Sequence, residues 1–279
     1  MSFHSAAFLS WQFGLAVVLN CFVNCILIGA YAARLAGAAS GRVATSMSFY
    51  NLITMVSRLA AFVYTPMLGA LSDRAAAGAG THAAATFLWQ LRAIVLAGAI
   101  GAAIGTLLLP AFAGWFSRGI RSFERSGSLP RVALRMLVPR VALSVLATLR
   151  ADVRLFAGLN LKNVAPQLLA FNVLTTSVYA IGMVGATYAS VLDPTSARTA
   201  LLSTGLINAI AMVSFTFVVD PASAHVTDLA VKGERSIDDV RRLMVWLSLT
   251  TVVGILVAQA LLVPAAHFVV LAARLLSAR

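Results

Sequence analysis

Six stretches of this chain are apolar for long enough to cross a bilayer, and that constrains the fold more than any other feature. They run near Leu9–Ala33, Val43–Leu71, Ile94–Phe116, Pro166–Leu192, Thr199–Val219 and Leu243–Leu271. About 20 apolar residues in helical form span the roughly 30 Å of hydrocarbon. No water inside lipid can satisfy an exposed amide, so only helices or closed barrels survive there. Continuous rather than alternating apolar runs select helices. The expected fold class is therefore all-α, a polytopic membrane protein with six transmembrane helices. Composition agrees: 60% of residues are hydrophobic and 11% charged, with a mean hydropathy of +0.91, whereas soluble domains carry roughly 25% charged residues. The first run has no Lys or Arg ahead of it and is longer than a signal-peptide core, so it is expected to be a retained span.

A formal net charge of +12 does not call for a nucleic-acid partner, because the basic residues cluster in loops beside spans, where the positive-inside rule accounts for them. Segments Arg34–Arg42, Arg118–Lys162 and Lys232–Arg242 hold two, nine and four Lys or Arg. The opposite side holds Arg74, Arg92, Arg198, Arg274 and Arg279. This asymmetry places the first set in the cytoplasm and both termini outside. The dominance of Arg over Lys, with abundant Ala, suggests GC-rich coding DNA and fits a bacterial inner membrane.

A second feature divides the chain in two. NLITMVS, Asn51–Ser57, is followed by Pro66 and Asp73; NAIAMVS, Asn208–Ser214, is followed by Pro221 and Asp228. The proline-to-acid spacing is the same in both copies, with Ser72 and Thr227 just ahead of the acids, although the first copy needs two more residues between motif and proline. TLLLPA around Pro110 likewise matches QALLVPA around Pro264. Duplication gives three spans per unit, and an odd number turns the second unit upside down, the 3+3 inverted repeat of alternating-access carriers. The expected units are residues 1–116, a cytoplasmic amphipathic basic linker at 117–165, and residues 166–279. In the linker, Arg131 and Arg135, then Arg150 and Arg154, recur at helical spacing around Pro139. That pattern suits helices lying on the cytoplasmic surface against anionic membrane lipids; a plain topogenic connection is the alternative. Pro66, Pro110, Pro221 and Pro264, late in the second, third, fifth and sixth helices, are expected bend sites.

Arg58 lies near the middle of the second helix, where an Arg costs about 2.5–3.5 kcal/mol on insertion scales and rarely faces lipid. Asn51, Thr54, Arg58 and Thr65 recur at helical spacing and form a polar stripe. Such a stripe faces the bundle interior or water. Arg34 and Arg42 flank the cytoplasmic entry of this helix, and Asn208 is the repeat counterpart of Asn51. Arg58, Arg34, Arg42, Asn51 and Asn208 are thus the candidate substrate-binding residues, suited to a phosphate or carboxylate ligand; a structural ion pair of Arg58 with Asp220 or Asp73 is the alternative. Asp220 is expected to pair with Arg58 in one conformation and release it in another. Asp73, Asp228, Pro66 and Pro221 are the matched candidate gate residues. His225 is a candidate for proton coupling, since imidazole titrates near neutral pH, with an ordinary polar anchor as the plainer reading.

No enzyme signature accompanies these residues. Lys162 and Lys232 follow no Gly-rich loop, so no nucleotide cradle is expected. Four scattered His and two Cys form no metal-ligand pattern, and no cofactor or catalytic residue is expected. Cys21 and Cys25, four apart within one span, read as packing residues.

The segments Arg34–Asp73 and Ser203–Asp228, followed by a short charged loop and AQALLVPAAHFV, resemble the Amj-type alternate lipid II flippases over most of the chain outside the linker. The resemblance implies a multi-pass protein of the bacterial inner membrane. Its cargo would be lipid II, an undecaprenyl-pyrophosphate-linked peptidoglycan precursor, carried from the cytoplasmic to the periplasmic leaflet. Arginine suits pyrophosphate through its planar fork of donors. An outward-moving anion runs downhill by about 2.3 kcal/mol per charge per 100 mV, so such a carrier needs no nucleotide. Six helices are few around a disaccharide-pentapeptide, which leads to the expectation of a homodimer. A carrier for a small soluble anion or metabolite is the rival reading, and a non-transporting scaffold the third.

Overall fold

The computed structural model describes residues 10–78, 81–128, 131 and 159–277. Helices α1 (Trp11–Ser40), α2 (Val43–Ala77), α3 (Thr81–Leu107) and α4 (Leu109–Ser126) precede the linker, whose expected surface helices lie outside the described residues. Helices α5 (Pro166–Leu192), α6 (Ala197–Ser214), α7 (Asp220–Val231) and α8 (Ile237–Ser277) follow it. A 3-10 turn, Pro194–Ser196, leads into α6, and a π-helical segment, Phe215–Val219, joins α6 to α7. Six segments among the described residues are long and apolar enough to cross a membrane, with α6, the π segment and α7 forming one of them. The expected class, an all-α membrane protein with six spans, is the one observed.

The third span differs from its expected limits. It occupies α3, and the chain turns at Leu108 (φ −88°, ψ 1°) with Pro110 in the first turn of a new helix. Proline is favoured there because a first-turn residue has no helical partner for its N–H. The apolar run continues straight across this break, so hydropathy cannot see it. α4 is amphipathic instead: Leu109, Phe116 and Ile120 are buried while Arg118, Arg121 and Arg125 are exposed. Pro110 therefore starts a helix, whereas its sequence counterpart Pro264 sits inside the unbroken 41-residue α8. The two are not equivalent bends.

Local chemistry sets the corners. Gly41 adopts φ +68° and ends α1, donating to the Ala38 carbonyl while Arg42 donates to Gly37; this left-handed cap favours glycine. At the start of α8, Ser236 and Asp239 cap each other reciprocally, the Asp239 amide donating to Ser236 Oγ at 3.1 Å and the Ser236 amide to Asp239 Oδ2 at 3.3 Å. Such a box satisfies two helix-end donors at once.

Two posts organise the bundle. α1 packs along α2 and α3, α5 packs along α6 and α8, and α3 meets α8 between them. Lipid is as apolar as leucine, so close packing and interhelical hydrogen bonds hold such helices together. Both posts use the same devices. Asn20 on α1 donates to the Ile94 carbonyl of α3 at 2.7 Å, and Asn172 on α5 donates to the Leu247 carbonyl of α8 at 3.0 Å. A Cβ at Gly101 of α3 would collide with the Cys21 carbonyl, and one at Gly254 of α8 would lie 2.9 Å from the Val173 carbonyl. These matched contacts stand at nearly the displacement that separates Pro110 from Pro264. Cys21 and Cys25 are free, half-buried thiols whose backbones receive Gly101 and Gly105.

Candidate functional site

On α2, Tyr50, Thr54, Ser57, Ala61 and Tyr64 recur every three or four residues and so share one face. That face closes one wall of a cavity of about 330 Å³ in the middle of the bundle. Asn20, Asn24 and Tyr31 of α1, Thr175, Thr176 and Tyr179 of α5, Asn208 of α6 and Thr251 of α8 complete its polar lining. Among the described residues the lining is uncharged: it offers hydroxyls and amides interspersed with Ala, Val and Met. Ser57 Oγ and Asn208 Oδ1 are buried with no hydrogen-bond partner. A buried polar atom left unpaired costs about 1–3 kcal/mol, so the cavity is built to meet polar groups it does not itself supply. The outward faces of the two arms that flank it are apolar, with Phe62 on α2 and Leu202 on α6 largely exposed, as lipid contact requires.

The expected stripe on α2 reaches the cavity in part. Thr54 and Thr65 line the cavity, but Asn51 is exposed and Tyr50 takes its place. Tyr50 and Tyr64 add to this wall's polar residues, a signal hidden when tyrosine is grouped with the hydrophobic residues. Arg58 lies on α2 beside Ser57 and one turn beyond Thr54; its side chain lies outside the described residues. Asn208 lines the cavity opposite, so of the repeat pair Asn51 and Asn208 only the second reaches it.

Arg34 is not free at the entry. It is 3% exposed, and its Nη2 donates to Asp220 Oδ1 at 2.5 Å while Nη1 approaches the Asp220 carbonyl at 3.4 Å. Its guanidinium lies over the Tyr50 ring, 4.8 Å from the centroid. Its Nε has no partner. Among the described side chains the partner of Asp220 is Arg34 of α1, because α7 runs beside the end of α1 and brings the carboxylate there; the expected pairing with Arg58 involves a side chain outside the described residues. Arg42 is exposed and pairs with Glu124 of α4 at 2.6 Å.

Asp220 opens α7 directly after the π segment, its N–H donating to the Phe215 carbonyl, and Pro221 follows in the first turn. Pro66 sits inside the unbroken α2. Asp73 and Asp228 are exposed towards the ends of α2 and α7, as is His225. None of these three side chains makes a hydrogen bond or ion pair among the described residues.

At the other end, Asp193 forms a clamp that sequence reasoning missed. Its Oδ1 accepts from the Thr195 hydroxyl at 2.5 Å and the Thr195 amide at 3.2 Å; its Oδ2 accepts from the Ser196 hydroxyl at 3.0 Å and Arg274 Nε at 2.7 Å. The Thr195 hydroxyl first, then Arg274, hold this carboxyl well below the usual carboxylate range. The available signal was Asp-Pro-Thr-Ser, an acid whose side chain bonds the backbone two residues on.

The family model for Amj, described as "Alternate to MurJ", matches residues 19–273. The chain is also similar to the lipid II flippase Amj of Bacillus subtilis (strain 168), with 33% identity over 242 residues, 86% of this chain and 88% of that protein. No solved structure matches.

Proposed function

Because this chain belongs to the Amj family, we propose that it moves lipid II from the cytoplasmic to the periplasmic leaflet of the bacterial inner membrane, in which it is a multi-pass protein. The observation that carries this reading is a likeness that extends over all six spans, not over a single motif. The site is chemically suited to such cargo. A saccharide presents hydroxyls and amides, which the Asn, Tyr and Thr lining can meet, and a pyrophosphate calls for guanidinium groups. Arg34 stands behind Tyr50 of the cavity wall, and Arg58 follows the lining residue Ser57 in α2, which supports a phosphate-binding role for both. The membrane potential supplies the drive, so no catalytic step is invoked.

A cavity of about 330 Å³ holds one sugar ring or the pyrophosphate, not a whole disaccharide-pentapeptide. The arms must therefore part during transport, and a homodimer is our reading of how the rest of the head group is enclosed. The matched Asn20 and Asn172 contacts support a duplicated unit, and with three spans in each half its copies are inverted.

The test is growth of cells depleted of their principal lipid II flippase. The wild-type chain sustains growth, Arg58→Ala abolishes rescue while leaving the protein in the membrane, and Arg58→Lys rescues partly because a point charge replaces a bidentate fork. Failure of the wild-type chain to rescue would favour the small-anion carrier.

A further inference from the structure

A guanidinium that is nine-tenths buried, held at one end and orphaned along its edge, is an incomplete site. Arg34 offers five N–H donors; one short bond and one long approach go to Asp220 and a further interaction goes to the Tyr50 hydroxyl, while Nε is buried without a partner. Asp220 is the less buried member, its side chain 30% exposed against 4% for Arg34. Tyr50, under the guanidinium, also lines the cavity, as does Tyr31 one turn back on α1. The cation therefore stands just behind the cavity wall with a carboxylate as its stopper.

The stopper sits on a joint. The π-helical segment replaces ordinary helical bonding directly ahead of Asp220, and Pro221 withholds the next backbone donor. Both weaken the helix at that point, and π segments within helices concentrate at functional sites. Beyond the joint, α7 does not share the main core. Ala222 and Val226 pack with Leu168, Val219, Leu243 and Met244 in a separate apolar cluster. Arg34, by contrast, belongs to α1, which is pinned to α3 at Asn20 and Gly101.

We propose that Arg34 is a masked anion site, in which the pyrophosphate of the lipid-linked cargo replaces Asp220 on the guanidinium and so releases α7 to swing about the π-helical segment. A pyrophosphate carries more charge than one carboxylate and engages guanidinium bidentately, including the Nε that Asp220 leaves unused. The displaced Asp220 moves out on the side where it is already part exposed. The inference rests on the cargo reading above; it adds which group receives the phosphates and which helix moves in response.

The test uses the full chain in nanodiscs with undecaprenyl pyrophosphate as probe and undecaprenol as its uncharged control. Four forms are compared: wild type, Arg34→Gln, Asp220→Asn, and the swap Arg34→Asp with Asp220→Arg. Wild type binds the pyrophosphate lipid in preference to undecaprenol. Arg34→Gln loses roughly ten- to a hundredfold in that affinity, the worth of a charged hydrogen bond or two. Asp220→Asn keeps the cation and removes its competitor, so it binds at least as tightly as wild type. The swap restores an ion pair and thermal stability but not binding. A cysteine at Ala222, in a chain lacking Cys21 and Cys25, reacts faster with a hydrophilic thiol reagent when the pyrophosphate lipid is added. Binding by Arg34→Gln at the wild-type level, recovery of binding by the swap, or loss of binding in Asp220→Asn overturns the masked site and leaves the cargo reading intact. A wild-type chain that does not distinguish the two lipids sinks both.

Discussion

Two arms flank the cavity, and they begin from similar motifs, NLITMVS and NAIAMVS, yet end as different structures. α2 carries Asn51–Ser57, Pro66 and Asp73 in one unbroken 35-residue helix. The second arm carries Asn208–Ser214, Pro221 and Asp228 in three pieces: α6, the π segment and α7. Both prolines remove a donor, so proline alone does not decide where a helix breaks. The residue before each proline differs in what it reaches. Thr65 turns its hydroxyl back to the Ala61 carbonyl of its own helix at 2.8 Å. Asp220 reaches across to Arg34. The arm held to its neighbour by an ion pair is the one that breaks, while Thr65 adds only a weak bond to Met183 Sδ of α5 at 3.4 Å. Two arms with matching motifs thus differ in one ion pair, that of Asp220 with Arg34.

The comparison assumes that α1 and α5 are fixed posts, and the sharpest way to break it is to disturb them. Gly101→Leu and Gly254→Leu drive a side chain into the backbone of the opposing post, which cannot give way. Overpacking of this kind costs about 1–3 kcal/mol or more, read as loss of a folded monodisperse peak in detergent. Gly69 and Gly205, on the arms with open space around them, accept the same leucine with little loss. Equal damage at all four would erase the distinction between posts and arms.

A smaller effect is expected at the asparagines. Asn172 is fully buried and also approaches the Thr250 and Thr251 hydroxyls, whereas Asn20 holds one interhelical carbonyl. Asn172→Leu should therefore lower the unfolding midpoint more than Asn20→Leu, each within the roughly 0.6–2 kcal/mol of interhelical bonds in membranes.

The Asp193 clamp fixes the far end of the second arm, which the comparison requires to be the stationary end. Its carboxyl is held below the ordinary range, so its stabilisation is complete above the unfolded-state value and is lost only as pH falls through the folded one. The gap in melting temperature between wild type and Asp193→Asn should stay constant from neutral pH down to about pH 4 and close below it. A gap that closes nearer neutrality would mean that Arg274 and Thr195 do not hold the carboxyl as described. The least effect belongs to Arg42→Ala, since the Arg42–Glu124 pair is exposed and such pairs contribute at most about 1 kcal/mol; thermal unfolding checks it.

Spans, class and family resemblance were legible in the sequence because apolar length alone dictates helices in lipid. Four of the six spans begin or end within a few residues of expectation; α3 does not, because an apolar run conceals the turn at Leu108. The cavity was half legible. Thr54, Thr65 and Asn208 were on the expected list, but a polar stripe drawn through Asn51 and Arg58 overlooked Tyr50 and Tyr64, whose hydroxyls hydropathy discounts. The Arg34–Asp220 pair was out of reach, because a contact 186 residues apart depends on how α7 leaves the π segment, and nothing local in the sequence announces that segment.

The central claim is that the second arm moves at its π joint while the first stays rigid. Spin-label distances test it directly, in a chain lacking Cys21 and Cys25. One pair, His225→Cys with Arg125→Cys, reports α7 against α4; the other, Arg74→Cys with Arg198→Cys, reports the far ends of α2 and α6. Addition of undecaprenyl pyrophosphate should shift the first distribution and leave the second unchanged. Movement of the second pair instead, or of neither, contradicts the account.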